Sequence, residues 1–275
     1  GDTLRLTLAQ NHLRAHPTTS ETFAEMDLHQ SLAFYRERFA DAGDFTFYFV
    51  GNVDPAGLRP LVERWLAGLP STGRQESGRD LGMRPPRGVV RKTVLRGLEP
   101  KARTQVVFTG PLEFSHERVG TLSALGEVLR IRLREVLRED LGGTYGVGVS
   151  ASAARDPVPG YTVGIGFGAA PERLRELNTA VLAQIDSLKR TGPTAEELRK
   201  VKEARNRSYE TDLRDNSFWI SQLLFYGNHG WDPREILRAP ERTEALNAET
   251  IRDAARSYLD TENLVQVTLL PEAGG

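Results

Sequence analysis

The chain has 275 residues, 39% of them hydrophobic and 27% charged, a composition of folded proteins that bury a core and not of disordered chains. Its 36 basic and 37 acidic side chains leave a formal net charge of −1, so no long-range field favours nucleic acid or a membrane surface as partner. No apolar run approaches the roughly 20 residues of a bilayer span, and the absence of cysteine excludes disulfides, thiolate metal sites and a cysteine nucleophile while leaving the compartment open.

The chain starts at Gly1 with no initiator Met and no basic-then-apolar leader, and it reads as a piece of a longer protein. Residues 4–15 predict a short helix that must end before His16-Pro17, because the residue preceding proline is pushed out of the α region. A second helix is expected over 28–40, with Leu28, Leu32, Tyr35 and Phe39 on one face. The run Phe45-Thr-Phe-Tyr-Phe-Val50 is aromatic, β-branched and short, the pattern of a buried strand. Asp54-Pro55 then supplies an N-cap and a first-turn proline for a helix that carries Leu58, Leu61, Val62, Trp65, Leu66 and Leu69. Residues 71–87, rich in Gly, Pro, Ser and charge, read as the linker.

Strands are expected over 88–96 and 103–110, and a long amphipathic helix over 116–138. A hairpin follows from 145–153 and 161–167 around a Pro/Gly turn, then a helix over 172–190. Thr194-Ala-Glu-Glu197 is a capping box that opens the next helix. Residues 216–226 predict a buried helix, 248–259 another helix, and 264–270 a last strand. Strand pairs separated by long helices imply an α+β fold, an antiparallel or mixed sheet with helices packed on one side.

Five histidines are present, and His12-Leu-Arg-Ala-His16 has the spacing of two metal ligands on one helical face. Its fourth position is Ala15, where the inverted zinc motif H-x-x-E-H needs the glutamate that activates water, so the pair is either an incomplete centre or two exposed polar residues. No residue of the chain is assigned to a metal or cofactor. Glu139-Asp140 and Glu196-Glu197 read as helix-end carboxylates. The segment that draws most interest is Arg138-Glu-Asp-Leu-Gly-Gly-Thr-Tyr145, where a helix gives way to a strand. A guanidinium on the last turn and a phenol at the strand's start could converge on a peptide carbonyl or a developing oxyanion. Equally, Arg138 could cap the helix carbonyls and Tyr145 could be a half-buried strand residue.

Phe34-Tyr-Arg-Glu-Arg-Phe39, Phe45-Thr-Phe-Tyr-Phe-Val-Gly-Asn-Val-Asp54 and Leu61-Val-Glu-Arg-Trp-Leu-Ala-Gly-Leu-Pro70, in that order, resemble the pitrilysin/insulinase family of zinc metallopeptidases. Arg138 through Tyr145 resembles that family's R-E-x-x-G-x-x-Y element, and Pro171-Glu-Arg-Leu, Gly192-Pro-Thr-Ala-Glu-Glu-Leu and Asn216-Ser-Phe-Trp219 are similar to long bacterial members. The resemblance implies the α+β fold of mitochondrial-processing-peptidase-like metallohydrolases, arranged as a clam-shell of homologous domains. Residues 1–72 would be the C-terminal part of one domain, 73–87 a linker, and 88–275 a complete C-terminal domain. One half of such a protein binds zinc through H-x-x-E-H, and the other supplies the Arg/Tyr pair. Arg138 would then position the substrate backbone, and Tyr145 would help stabilise the tetrahedral intermediate.

The expectation is therefore the non-metal half of a zinc endopeptidase, inert alone. Its partners would be the N-terminal catalytic half, in the same gene or another subunit, and peptide substrates. Zinc would be bound outside this chain, and the location would be bacterial, periplasmic or cytoplasmic. The alternative is a family member without catalysis, acting as scaffold or peptide-binding subunit.

Overall fold

The computed structural model describes residues 1–272 except Gln75 and Tyr145, with the backbone alone for Glu139 and Asp140. In chain order the regular elements are helices α1 (Asp2–Leu8), α2 (Ser20–Ala24), α3 (Leu28–Arg38) and α4 (Pro55–Trp65), then strands β1 (Val89–Leu95) and β2 (Ala102–Pro111). Helix α5 (His116–Arg134) runs on into a π-helical turn (Glu135–Asp140), and β3 (Val147–Ala154) and β4 (Gly160–Ala169) follow. Helices α6 (Leu174–Thr191), α7 (Ala195–Asp212), α8 (Asn216–His229), α9 (Ala239–Ala245) and α10 (Ala248–Tyr258) precede β5 (Leu264–Leu270).

Two compact units result: 1–16 with 80–206 and 240–275, and 17–79 with 207–239. Each unit is assembled from stretches distant in the chain.

The first unit is built on a five-stranded mixed sheet in the order β1-β5-β2-β4-β3. Only β1 and β5 run parallel; β2 pairs antiparallel with both β5 and β4, and β4 with β3. Alternation decides which face is covered. Tyr161, Val163, Ile165, Phe167 and Ala169 of β4 are buried, while Thr162, Gly164, Gly166 and Gly168 between them face the other way and are more open. Helices α5, α6 and α10 lie over the apolar face. Leu122, Leu125, Val128, Leu129 and Leu133 of α5 form the centre of the core with Leu177, Ile185 and Leu188 of α6. Each of these fully buried side chains contributes about 1.5–3 kcal/mol. Helices on one side of a mixed sheet are what the α+β reading expected.

Thr194 and Glu197 form the expected capping box, the Glu197 carboxylate accepting from the Thr194 amide (2.7 Å) and the Thr194 hydroxyl from the Glu197 amide (3.1 Å). Glu197 does more than cap. Arg132, on the buried stripe of α5, donates to both its oxygens (2.7 and 2.6 Å) and to the Gly192 carbonyl (3.1 Å). This buried pair ties α5 to the α6–α7 corner.

In the second unit Asp54 caps α4 by accepting from the Ala56 and Gly57 amides, as its position before Pro55 predicted. Two expectations fail there. The segment 45–50 is extended but has no ladder, so it is not a strand, and Phe45, Phe47 and Phe49 are exposed. A strand needs a neighbour for its backbone groups, and among the described residues this unit contains no other strand. Helix α8 forms, but it buries Tyr226 alone, so it is not the internal helix its apolar sequence suggested. In the first unit the expected helix over 4–15 is shorter, since the α-helix stops at Leu8 and a 3-10 turn, Leu13–Ala15, follows.

Candidate functional site

Leu137 and Arg138 are neighbours with opposite environments, and the π-helical turn is what separates them. Leu137 is fully buried in the core, while Arg138 is exposed. The turn widens the helical bonding to i→i−5, as in the Leu141 amide donating to the Val136 carbonyl (3.0 Å). Such turns cost regular hydrogen bonding and recur at functional positions. Among the described residues the Arg138 guanidinium makes no hydrogen bond or ion pair, so it does not cap the helix carbonyls. Tyr145 lies outside the described residues.

The loop that separates them is held at three points. The Gly143 amide donates to the Leu137 carbonyl (3.1 Å), just after Gly142 turns through the left-handed region (φ 56°). Arg173 donates to the Leu141 carbonyl (3.1 Å), and it is itself oriented by an ion pair with Glu176 at 2.8 Å. The buried Thr144 hydroxyl donates to the Gly168 carbonyl (2.6 Å) and accepts from the Gly146 amide (3.2 Å). A cation with no partner among the described residues thus stands beside a pinned loop at the start of β3. Chemically, it can donate two or more charge-assisted hydrogen bonds to a carbonyl or carboxylate.

Sequence reasoning missed Arg173 and Thr144 as supports. Thr144 was legible, since a threonine between Gly143 and a strand is a natural carbonyl-binding position. Arg173 carried no local signal, because its target is distant in the chain.

The histidine pair is not a metal centre. His12 and His16 flank the 3-10 turn in extended conformations and do not share a helical face. His12 Nδ1 accepts from the Arg14 amide (3.2 Å), and His16 Nε2 lies 3.2 Å from the Asn11 carbonyl. Among the described residues no three His, Asp or Glu side chains cluster as a metal site would require. Glu196 pairs with Arg199 and Lys200, and its carboxyl is held below the usual range by the Arg199 hydrogen bonds. Among the described residues no helix is long and apolar enough to cross a membrane.

Residues 26–205, well over half of the chain, match the family described as Peptidase M16 inactive domain. A zinc protease PQQL-like protein of Arabidopsis thaliana is 22% identical over 224 residues, which cover 76% of this chain and 23% of that protein. The periplasmic protease PqqL from Escherichia coli superposes with a TM-score of 0.82 at 22% identity, over 98% of this chain and 30% of that one. A mutant of the ferredoxin protease FusC, in complex with Arabidopsis ferredoxin, gives 0.79 at 20% identity, over 97% and 29%. At these identities the structural likeness is one of fold. The chain spans about a quarter of the plant relative and under a third of each solved chain.

Proposed function

Because the chain belongs to the Peptidase M16 inactive-domain family, we propose that it is the non-metal half of a zinc-dependent endopeptidase and closes over a catalytic half that holds the zinc. The observation that carries this reading is the exposed Arg138, unpaired among the described residues, on a π-helical turn beside a loop pinned at three points. An exposed guanidinium with no partner among the described residues is available to a substrate carbonyl. Donors of this kind are most effective where closure excludes water. Arg138 positions the peptide backbone, and Tyr145 donates to the oxygen that becomes negative as the scissile carbonyl is attacked.

The second unit supports the same reading. Leu28, Leu32, Tyr35 and Phe39 of the α3 stripe and Phe45, Phe47 and Phe49 after it are 38–78% exposed. Tyr35, Phe39, Phe45 and Phe47 contact one another in sequence with ring centroids 4.5, 5.4 and 6.4 Å apart, the outer two pairs stacked and the middle one tilted. An apolar surface of this extent is normally covered. We assign residues 1–72 to the end of a preceding homologous domain, whose sheet would take 45–50 as a strand, and 88–275 to the following domain.

Separating the parts tests the proposal. The chain purified alone is expected to cleave no peptide and to hold no stoichiometric zinc by plasma mass spectrometry, while the full-length protein does both. Tightly bound zinc on the isolated chain would overturn it and return attention to His12 and His16. The reading frame upstream separates it from the scaffold alternative, which predicts no intact H-x-x-E-H there.

A further inference from the structure

The last carbonyls of a helix have no partner within it and call for an outside donor. At the end of α5 two guanidiniums could serve the Leu141 carbonyl: Arg138, on the same turn, and Arg173, 32 residues further along the chain. The distant one does. Arg173 ends the 3-10 turn Pro171–Arg173 that leads into α6, and its Nη2 donates to the Leu141 carbonyl at 3.1 Å. A cation placed there also meets the negative end of the helix dipole. Arg138 is left exposed, with no hydrogen bond or ion pair among the described residues.

Glu176 fixes the pose of Arg173. Its carboxylate accepts from Nε at 2.8 Å through one oxygen and from Nη2 at 3.2 Å through the other, so one edge of the guanidinium is held at both nitrogens. Nη2 serves Glu176 and Leu141 together. The Arg173 hydrogen bonds in turn hold the Glu176 carboxyl below the usual carboxylate range. Both side chains are partly exposed, at 35% and 50%, so the pair adds little to stability. What it adds is direction.

Leu177 makes a second contact with the same loop. It follows Arg173 by four residues, the spacing of one helix face. Leu177 is fully buried, and a Cβ at Gly143 would fall 2.7 Å from its Cδ2, so the loop backbone lies directly against the packed leucine. The start of α6 therefore holds the loop at Leu141 and again at Gly143, on either side of the left-handed Gly142. From there the Gly143 amide closes back on the carbonyl of Leu137, the neighbour of Arg138.

We propose that Arg173 is a positioning residue for Arg138: it occupies the helix-end carbonyl that Arg138 would otherwise cap, and so keeps the Arg138 guanidinium turned out toward substrate. Without Arg173, Arg138 is the guanidinium on the same turn and folds back onto its own helix end. Glu176 belongs to the same device, because it aims Arg173 at the Leu141 carbonyl. This role rests on the reading of Arg138 as the group that holds the peptide, and it adds the residue that leaves that group free.

The test is a double-variant cycle in the full-length, zinc-loaded protein. Its readouts are turnover of an extended peptide and, without peptide, amide hydrogen exchange. Arg173→Ala is expected to lower kcat/KM by about ten- to a hundredfold. Arg173→Lys, which keeps a charged donor for the Leu141 carbonyl, is expected to recover most of that loss. In an Arg138→Ala background Arg173→Ala is expected to change turnover by less than about twofold, since the group it positions is gone. The Gly143 amide is expected to exchange at least about tenfold faster in Arg173→Ala than in wild type. Should Arg173→Ala fail to fold by circular dichroism, Glu176→Ala carries the same cycle, with a loss expected only where Arg138 is present. Wild-type turnover in Arg173→Ala beside a slow Arg138→Ala would overturn the proposal and leave the role of Arg138 standing. An equal loss with and without Arg138 would also overturn it, by making Arg173 a purely structural support. Wild-type turnover in Arg138→Ala would instead refute the reading of Arg138, and the proposal with it.

Discussion

Replacing Arg132 by leucine is expected to destabilise the first unit more than almost any other single change. Arg132 and Glu197 side chains are each 8% exposed, with both carboxylate oxygens bonded to the guanidinium. Removing the cation strands a buried carboxylate that keeps only Thr194 as donor, and it also leaves the Gly192 carbonyl with the more distant Thr191 hydroxyl (3.4 Å) as its side-chain partner. Breaking one side of a buried pair costs about 3–5 kcal/mol. The double variant Arg132→Leu/Glu197→Leu should recover about 1–3 kcal/mol, because it removes the stranded charge and leaves only backbone groups short of partners. Acidity gives an independent check. Burial raises the Glu197 carboxyl, but hydrogen bonds from Arg132 and the Thr194 amide outweigh it and hold it below the usual carboxylate range. A depressed folded value means the stabilisation is present above the unfolded pKa of about 4.3 and is lost as pH falls through the folded value. In Arg132→Leu only burial remains strong, so the gap between variant and wild type should narrow as pH drops from 7.5 to 4. Urea unfolding followed by far-UV circular dichroism is the assay, because Trp65, Trp219 and Trp231 all lie in the other unit. A single variant within about 1 kcal/mol of wild type at pH 7.5 would refute the reasoning.

Further expectations concern the second unit. Asp41 accepts from the Thr72 hydroxyl and amide and the Gly43 amide, and these bonds, the Thr72 hydroxyl first, bring its carboxyl down to about 2. Its contribution is thus complete above the unfolded pKa of about 3.9 and lost as pH falls toward 2; Asp41→Ala should speed tryptic cleavage after Arg74 at neutral pH, and equal rates would contradict the clasp. A Cβ at Gly227 would fall 1.8 Å from the Tyr48 hydroxyl oxygen. Gly227→Ala should cost about 1–3 kcal/mol by overpacking, read by the tryptophan fluorescence melt, with partial rescue by Tyr48→Phe. Equal melting of Gly227→Ala and wild type would mean that the two elements part without cost.

Much of the first unit was legible because its elements are locally encoded. Alternation in β4, the apolar stripe of α5 and the Thr194–Glu197 box each carry their own periodicity or cap. Segment 45–50 shows the opposite case. Its side chains have strand propensity, but a ladder is a long-range property, and without a neighbouring strand the residues stay extended and exposed. Arg132 was readable in retrospect, since it follows Val128 and Leu129 at helical spacing and so lies on a buried stripe where a charge requires a partner. The π-helical turn leaves no comparable mark, because the shift to i→i−5 bonding is decided by how Leu137 seats in the core and how the following loop is pinned. Half of the expected catalytic pair, Tyr145, lies outside the described residues.

The most direct measurement is turnover of an extended peptide by the full-length protein carrying Arg138→Ala or Tyr145→Phe, with zinc content and circular dichroism recorded on the same samples. A fall in kcat/KM of about one to three orders of magnitude is predicted, at unchanged zinc content and unchanged fold. Wild-type turnover in both variants would contradict the account.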